Sequence, residues 1–176
     1  MKKITLSICA LLGLTAGADA RDLVAYYSRT GNTETVAKKI AEITGADLYR
    51  IETADPNYYP SEYTATTQQA KQEITDGTLP PINATPDLSA YDTIYVGTPC
   101  WWGTMASPVR TFLTNNNFDG KTVVPFDTHG GSGAGNVFTD IDALTPNATH
   151  RAGIAIYGSD AATSDDALKA WIDKNK

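Results

Sequence analysis

The sequence predicts an α/β fold, a three-layer sandwich in which a five-stranded parallel sheet carries helices on both faces. Three observations predict it. Short, nearly continuous apolar runs, such as 23–26 and 93–96, alternate with stretches of helical periodicity. Runs that are apolar at every position belong to strands buried on both faces, as the strands of parallel sheets are. The 176 residues are 41% hydrophobic and 19% charged and contain no internal repeat or low-complexity tract, so they suit one domain with a substantial core.

The first twenty residues stand outside that fold. Lys2 and Lys3 give a positive start, 4–14 is an apolar run too short to span a bilayer, and Ala18-Asp19-Ala20 is a small-x-small cleavage site. This pattern predicts an export signal over 1–20, cleaved after Ala20, and a single mature domain over 21–176. The expected location is periplasmic or secreted, with no stable membrane insertion once the leader is removed. Cys9 lies inside the apolar run, so a lipid anchor is not indicated, and the paired lysines are not a twin-arginine signal.

The elements follow in order. Residues 23–26 form a strand. Residues 34–43 form a helix lined by Val36, Ala37, Ile40, Ala41 and Ile43, and Gly45 is placed to end it. A short strand over 47–51 leads into a long connection rich in Pro, Tyr, Asn and Thr. That connection holds one helix, starting near Ser61 as N-cap and ending before Gly77. Residues 93–96 form a strand bounded by Asp92 and Gly97-Thr98-Pro99. A helix over 108–113, a strand over 121–126 and a helix over 137–144 come next. A strand over 153–157 and a final helix over 165–172, with Trp171 on its apolar face, complete the chain. Right-handed crossovers restrict such a chain to a few topologies. In these sheets ligands bind beyond the carboxyl ends of the strands, where the strand order reverses. The loops after the first, third and fourth strands are therefore the candidate site.

The net charge is −6, and loss of the leader makes the remainder slightly more acidic. That balance excludes nucleic acid and anionic lipid as partners and suits basic patches on proteins. Without the leader Cys100 is the one cysteine, so no internal disulfide is available. His129 and His150 are the two histidines, and no Cys/His cluster suggests zinc.

The first loop, Ser28-Arg29-Thr30-Gly31-Asn32-Thr33, carries three hydroxyls between a strand and a helix. Such a turn leaves several backbone N–H groups aimed at one spot, where the helix dipole adds about half a positive charge. It lacks the Gly-Lys-Ser/Thr ending of loops that hold nucleoside triphosphates, so a single phosphate monoester is the expected ligand group. The loop after the third strand, Gly97-Thr98-Pro99-Cys100-Trp101-Trp102-Gly103, places two tryptophans in a Gly/Pro setting. Large aromatics there suit stacking on a planar ligand better than core packing. The loop after the fourth strand, Asp127-Thr128-His129-Gly130-Gly131-Ser132-Gly133, is glycine-rich and permits close backbone approach. On one edge of a sheet of order 2-1-3-4-5, the three loops describe a phosphate cradle, an aromatic wall and a polar glycine wall.

At these positions the chain resembles the flavodoxins, and more closely a flavodoxin-like branch of bacterial proteins. The first loop matches the family's hydroxyl-x-Thr-Gly-x-Thr pattern. The branch resemblance is carried by 59–63, 97–103, 111–113 and 120–133, within a similarity extending over about 23–172. It implies a flavodoxin-like sandwich, non-covalent FMN and electron transfer to a redox protein or small acceptor. It implies that Ser28, Arg29, Thr30, Gly31, Asn32 and Thr33 hold the phosphate. Thr98, Pro99, Cys100, Trp101, Trp102 and Gly103 would flank the isoalloxazine, with Trp101 or Trp102 stacked on it. Asp127, Thr128, His129, Gly130, Ser132 and Gly133 would line its other edge. Cys100 stands where the family usually has an aliphatic residue. Two alternatives are an FMN-dependent reductase of quinones or small electrophiles and a non-redox module that binds a phosphorylated ligand.

Overall fold

The computed structural model describes residues 21–176, and the predicted export signal lies outside the described residues. The chain runs β1 (Asp22–Tyr26), α1 (Asn32–Thr44), β2 (Asp47–Arg50), α2 (Tyr63–Asp76), β3 (Thr93–Trp101), β4 (Thr104–Met105), α3 (Ser107–Asn115), β5 (Thr122–His129), α4 (Val137–Leu144), β6 (Thr149–His150), β7 (Ile154–Tyr157) and α5 (Asp165–Lys174). The strands stand in the order β2-β1-β3-β5, with β6 and β7 both beside β5, and all these pairings are parallel. This is the predicted 2-1-3-4-5 sheet, with its fifth strand in two pieces. The ladder breaks at Ala152, whose carbonyl accepts from Trp171 Nε1 (2.7 Å) and Asn175 Nδ2 (3.0 Å) on α5 and just after it. Next to it, a Cβ on Gly153 would lie 2.7 Å from the Phe138 ring. The chain crosses under that ring as a residue without a side chain.

Alternation along the strands builds two cores. Leu23, Ala25, Ile94, Val96 and Val123 pack with Phe112, Met105 and Ile141 on the α3–α4 face. Val24, Tyr26, Tyr95, Val124 and Phe126 pack with Val36, Ile40, Leu168 and Ile172 on the α1–α5 face. Both faces of each central strand are covered, which is why the runs read as apolar throughout.

Two boundaries differ from the sequence reading. α2 is capped by Glu62, whose carboxylate accepts the N–H groups of Thr64 (3.0 Å) and Ala65 (2.7 Å). Ser61, the expected cap, instead presents its carbonyl to Arg29. The second difference is the loop after the third strand. β3 continues to Trp101, turns at Trp102-Gly103 and returns as β4, pairing Cys100 with Met105 and Trp101 with Thr104. The left-handed Gly45 and Gly77 end α1 and α2 as expected.

Candidate functional site

The first loop leaves the sheet after Tyr27, whose N–H donates to Gly97 O at 3.1 Å. Ser28 is buried, and its hydroxyl accepts the N–H of Gly31 at 3.1 Å. Gly31 takes φ 94°, a left-handed conformation that suits glycine, and α1 starts after it without a side-chain cap. Thr35 makes the first turn-closing bond, N–H to Gly31 O at 2.9 Å. The N–H groups of Asn32, Thr33 and Glu34 are left without partners among the described residues, at the positive end of a 13-residue helix. That donor set fits a phosphate monoester. Thr30 is exposed beside it, and the Asn32 amide packs against Gly158.

The loop is braced from both sides. Arg29 Nη2 donates to the carbonyls of Pro60 (3.3 Å) and Ser61 (3.1 Å) and to Thr66 Oγ1 (3.1 Å), holding the start of α2 against the loop. Arg50 donates to Ser28 O at 3.1 Å and pairs with Glu34 at 2.5 Å. Sequence reasoning did not single out Arg50. Its signal was available, since an arginine at the carboxyl end of β2 falls beside Tyr26 once the two strands pair in parallel.

The hairpin forms the second wall. Trp102 (φ 53°) and Gly103 (φ 81°) make a two-residue turn with both residues left-handed. Trp102 is the one non-glycine residue with positive φ among the described residues. It is 57% exposed, yet its Nε1 donates to Thr67 O at 2.9 Å and the Lys71 ammonium sits 4.8 Å from its ring centre. Trp101 does pack against the core, contrary to the sequence reading, because the strand carries it inward. It meets Tyr27 and Tyr59 edge-on at 5.6 and 5.2 Å. Burial pushes the Tyr27 phenol up to about 12, so this aromatic group stays neutral. Thr98 is buried, and its hydroxyl accepts from Ala106 N and donates to Pro99 O, both at 2.9 Å. Between α2 and the hairpin lies a cavity of about 290 Å³, lined by Tyr63, Ala70, Cys100, Trp101 and Trp102 among others. A larger one of about 750 Å³ opens on the far side of Arg29, toward the end of β2.

The third loop closes the group. Thr128 Oγ1 lies 2.7 Å from Thr33 Oγ1, tying it to the first loop. Asn136 N–H donates to Gly103 O at 2.7 Å, and a Cβ on Gly135 would come within 2.5 Å of that same oxygen. Ser132 Oγ is 3.8 Å from Cys100 Sγ, and the thiol lies 3.7 Å from Ala134 O. His129 Nδ1 accepts the Gly131 N–H at 3.0 Å, with its ring 5.7 Å from that of Tyr157. Gly130 and Gly133 have open space where a Cβ would stand. Asp127 faces the interior, fully buried. All three predicted loops thus meet at one sheet edge.

The sequence profile of the family described as Flavodoxin matches residues 21–175. The chain belongs to the flavodoxin family. A solved protein of Bacteroides eggerthii assigned as a flavoprotein is 32% identical, with a TM-score of 0.78 over 89% of this chain and 98% of its own. One from Bacteroides uniformis is 31% identical, with a TM-score of 0.77 over 88% and 98%. The Lactobacillus acidophilus flavoprotein solved in complex with FMN shares the fold at 24% identity and TM-score 0.67, over 87% and 99%. Among curated proteins, an NAD(P)H dehydrogenase (quinone) of Chromohalobacter salexigens is 38% identical over 96 residues, 51% of this chain and 44% of that protein. The match thus spans less than half the length of that relative. This flavodoxin has among its described residues no group of three or more His, Cys, Asp or Glu able to hold a metal.

Proposed function

We propose that this flavodoxin carries electrons with non-covalent FMN and works outside the cytoplasm. The observation that supports this best is the unpartnered first turn of α1, ringed by Ser28, Thr30 and Thr33 and facing the other two loops. Bound FMN supplies one- and two-electron redox chemistry, and the protein supplies binding, orientation and electrostatics. The N–H groups of Asn32, Thr33 and Glu34 hold the phosphate. Trp102 offers an aromatic face already fixed by Thr67 and Lys71. His129, its Nδ1 held by the Gly131 N–H, stands at the opposite wall. The leader pattern of residues 1–20 supports an exported protein, whose partner is a redox protein or small acceptor.

A reductase of quinones or small electrophiles is the second reading. It is favoured by the aromatic-lined cavity beside the hairpin and by the quinone dehydrogenases among the relatives. The test is FMN titration of protein 21–176, with riboflavin as a phosphate-free control. Tight FMN binding with much weaker riboflavin binding is expected, and indifference to FMN overturns both redox readings. Steady turnover with a soluble quinone and a reducing donor favours the reductase. Flavin loading without such turnover favours the carrier.

A further inference from the structure

At the carboxyl end of β5 a carboxylic acid sits inside the sheet with nothing to bond. Asp127 is in register with Thr98 on β3 and Ala155 on β7 and has no exposed surface. Neither Oδ1 nor Oδ2 has a hydrogen-bond partner among the described residues. Alternation along β5 sends Val124, Phe126 and Thr128 to the α1–α5 face, so Asp127 shares the other face with Val123.

The charged and titratable groups on the elements packed there are few. β3 contributes Cys100. Arg110 of α3 and Asp140 of α4 are both engaged with Thr104 Oγ1. Asp142 of α4 lies 3.9 Å from His150. His129, on the same strand, is turned toward Gly131 and Tyr157. None of these offers Asp127 a cation, and burial alone pushes its acid up to about 7. The strand that carries Asp127 ties into the site, because its neighbour Thr128, on the opposite face, is bonded to Thr33. The Cys100 thiol sits against Ser132; burial raises it, the Ser132 bond lowers it, and Asp127 raises it again by a smaller amount.

We propose that Asp127 is a proton-linked tuning residue of the site, a buried, unpartnered acid whose ionisation is opposed by the negative charge that reduction leaves on bound FMN. The proposal rests on the FMN reading above. Two electrons from an external reductant and one proton leave reduced FMN with one extra negative charge. Where Asp127 is already protonated, nothing else changes. Where it is ionised, the added charge raises its proton affinity, and a further proton passes from water to the carboxylate. By linkage, ionised Asp127 disfavours the reduced state by the same factor.

The test uses FMN-loaded protein with ¹³C-labelled aspartate carboxyls, titrated by infrared or NMR in the oxidised and dithionite-reduced states. Asp127 is identified as the signal missing from Asp127→Asn. Its proton affinity is expected to rise several-fold on reduction. The midpoint potential of the wild type should bend with pH between about 6 and 8 more strongly than that of Asp127→Asn, whose remaining bend is that of the reduced flavin itself. Should the variant fail to fold, the wild-type carboxyl that deprotonates near neutrality decides, read in both redox states. A titration identical in the two states, a carboxylate ionised throughout, or parallel potential curves overturns the proposal. Failure to take up FMN overturns the FMN reading as well. It is told apart by the missing flavin absorbance, while the Asp127 titration of the flavin-free protein stays measurable.

Discussion

Replacing Asp127 by asparagine should change how stability depends on pH, and the size of the change follows from burial. The acid stands at about 7 in the fold against an ordinary 3.8. Between those values the folded protein binds more protons at this group than the unfolded chain does, so stability falls as pH rises. The favourable contribution is complete below about pH 4 and lost by about pH 7. At about 1.4 kcal/mol for each pH unit separating the two values, the loss comes to about 4 kcal/mol. Asparagine keeps the shape and cannot ionise. Its unpartnered amide adds a penalty of about 1–3 kcal/mol, the same at every pH.

The readable quantity is therefore the difference between variant and wild type as pH changes. Urea unfolding of both flavin-free proteins at about pH 4.5 and 8 should show that difference moving by about 3–4 kcal/mol in favour of asparagine. Glu34, Glu62, Asp87 and Asp165 are held below the usual carboxylate range by Lys38, by backbone N–H groups, by the Ser89 N–H and by Lys39 respectively. They act with the opposite sign, losing stability as pH falls, and they cancel in the comparison. A difference constant across the range would show that Asp127 is ionised and compensated in the fold, and the burial reasoning would fail.

Gly97→Ala should destabilise the fold by about 3 kcal/mol, read by denaturant unfolding, because the new Cβ would stand 2.1 Å from Phe126 Cζ in a packed core. Gly103→Val should cost less, about 1–2 kcal/mol, since nothing lies within 4 Å and only the left-handed backbone resists. Arg50→Met should weaken FMN binding about tenfold in a flavin fluorescence titration, through loss of the charged donor to Ser28 O. Trp102→Phe should cost about 1 kcal/mol in thermal unfolding and speed hydrogen exchange at the start of α2, as the bond to Thr67 O disappears.

Much of this was legible because both faces of the sheet are buried. The runs at 23–26 and 93–96 carry their strand identity in composition alone, and Gly45 and Gly77 mark helix ends through a local backbone requirement. What failed depended on pairing. Trp101 reads as a loop residue until β4 folds back on Cys100 and Trp101. The split fifth strand depends on a carbonyl captured by Trp171 from a distant helix. The bracing role of Arg50 appears only once β2 lies beside β1. Asp127 sits within a readable motif, but nothing in its sequence neighbours says that both oxygens lack partners.

The side chains that the sequence assigns to a ligand are largely engaged with the protein itself. Arg29 holds Pro60 and Ser61, Thr33 holds Thr128, and Thr98 holds the start of α3. Trp102 occupies a left-handed conformation that costs a non-glycine residue about 1–2 kcal/mol. Its indole bond to Thr67 and the Lys71 ammonium offset that strain before any ligand arrives. The walls are therefore positioned by internal bonds, and the groups left free are backbone N–H donors of α1 and open glycine backbone. Such neutral, fixed donors need no reordering when an anion binds, and they leave the local field to be set by whatever charge lies beneath them. The buried ionisable group of the third loop is Asp127, on the face of β5 away from α1, and burial pushes its acid up to about 7. The same burial that weakens the fold at high pH is what, in the proposal above, ties the Asp127 proton to the charge of the site.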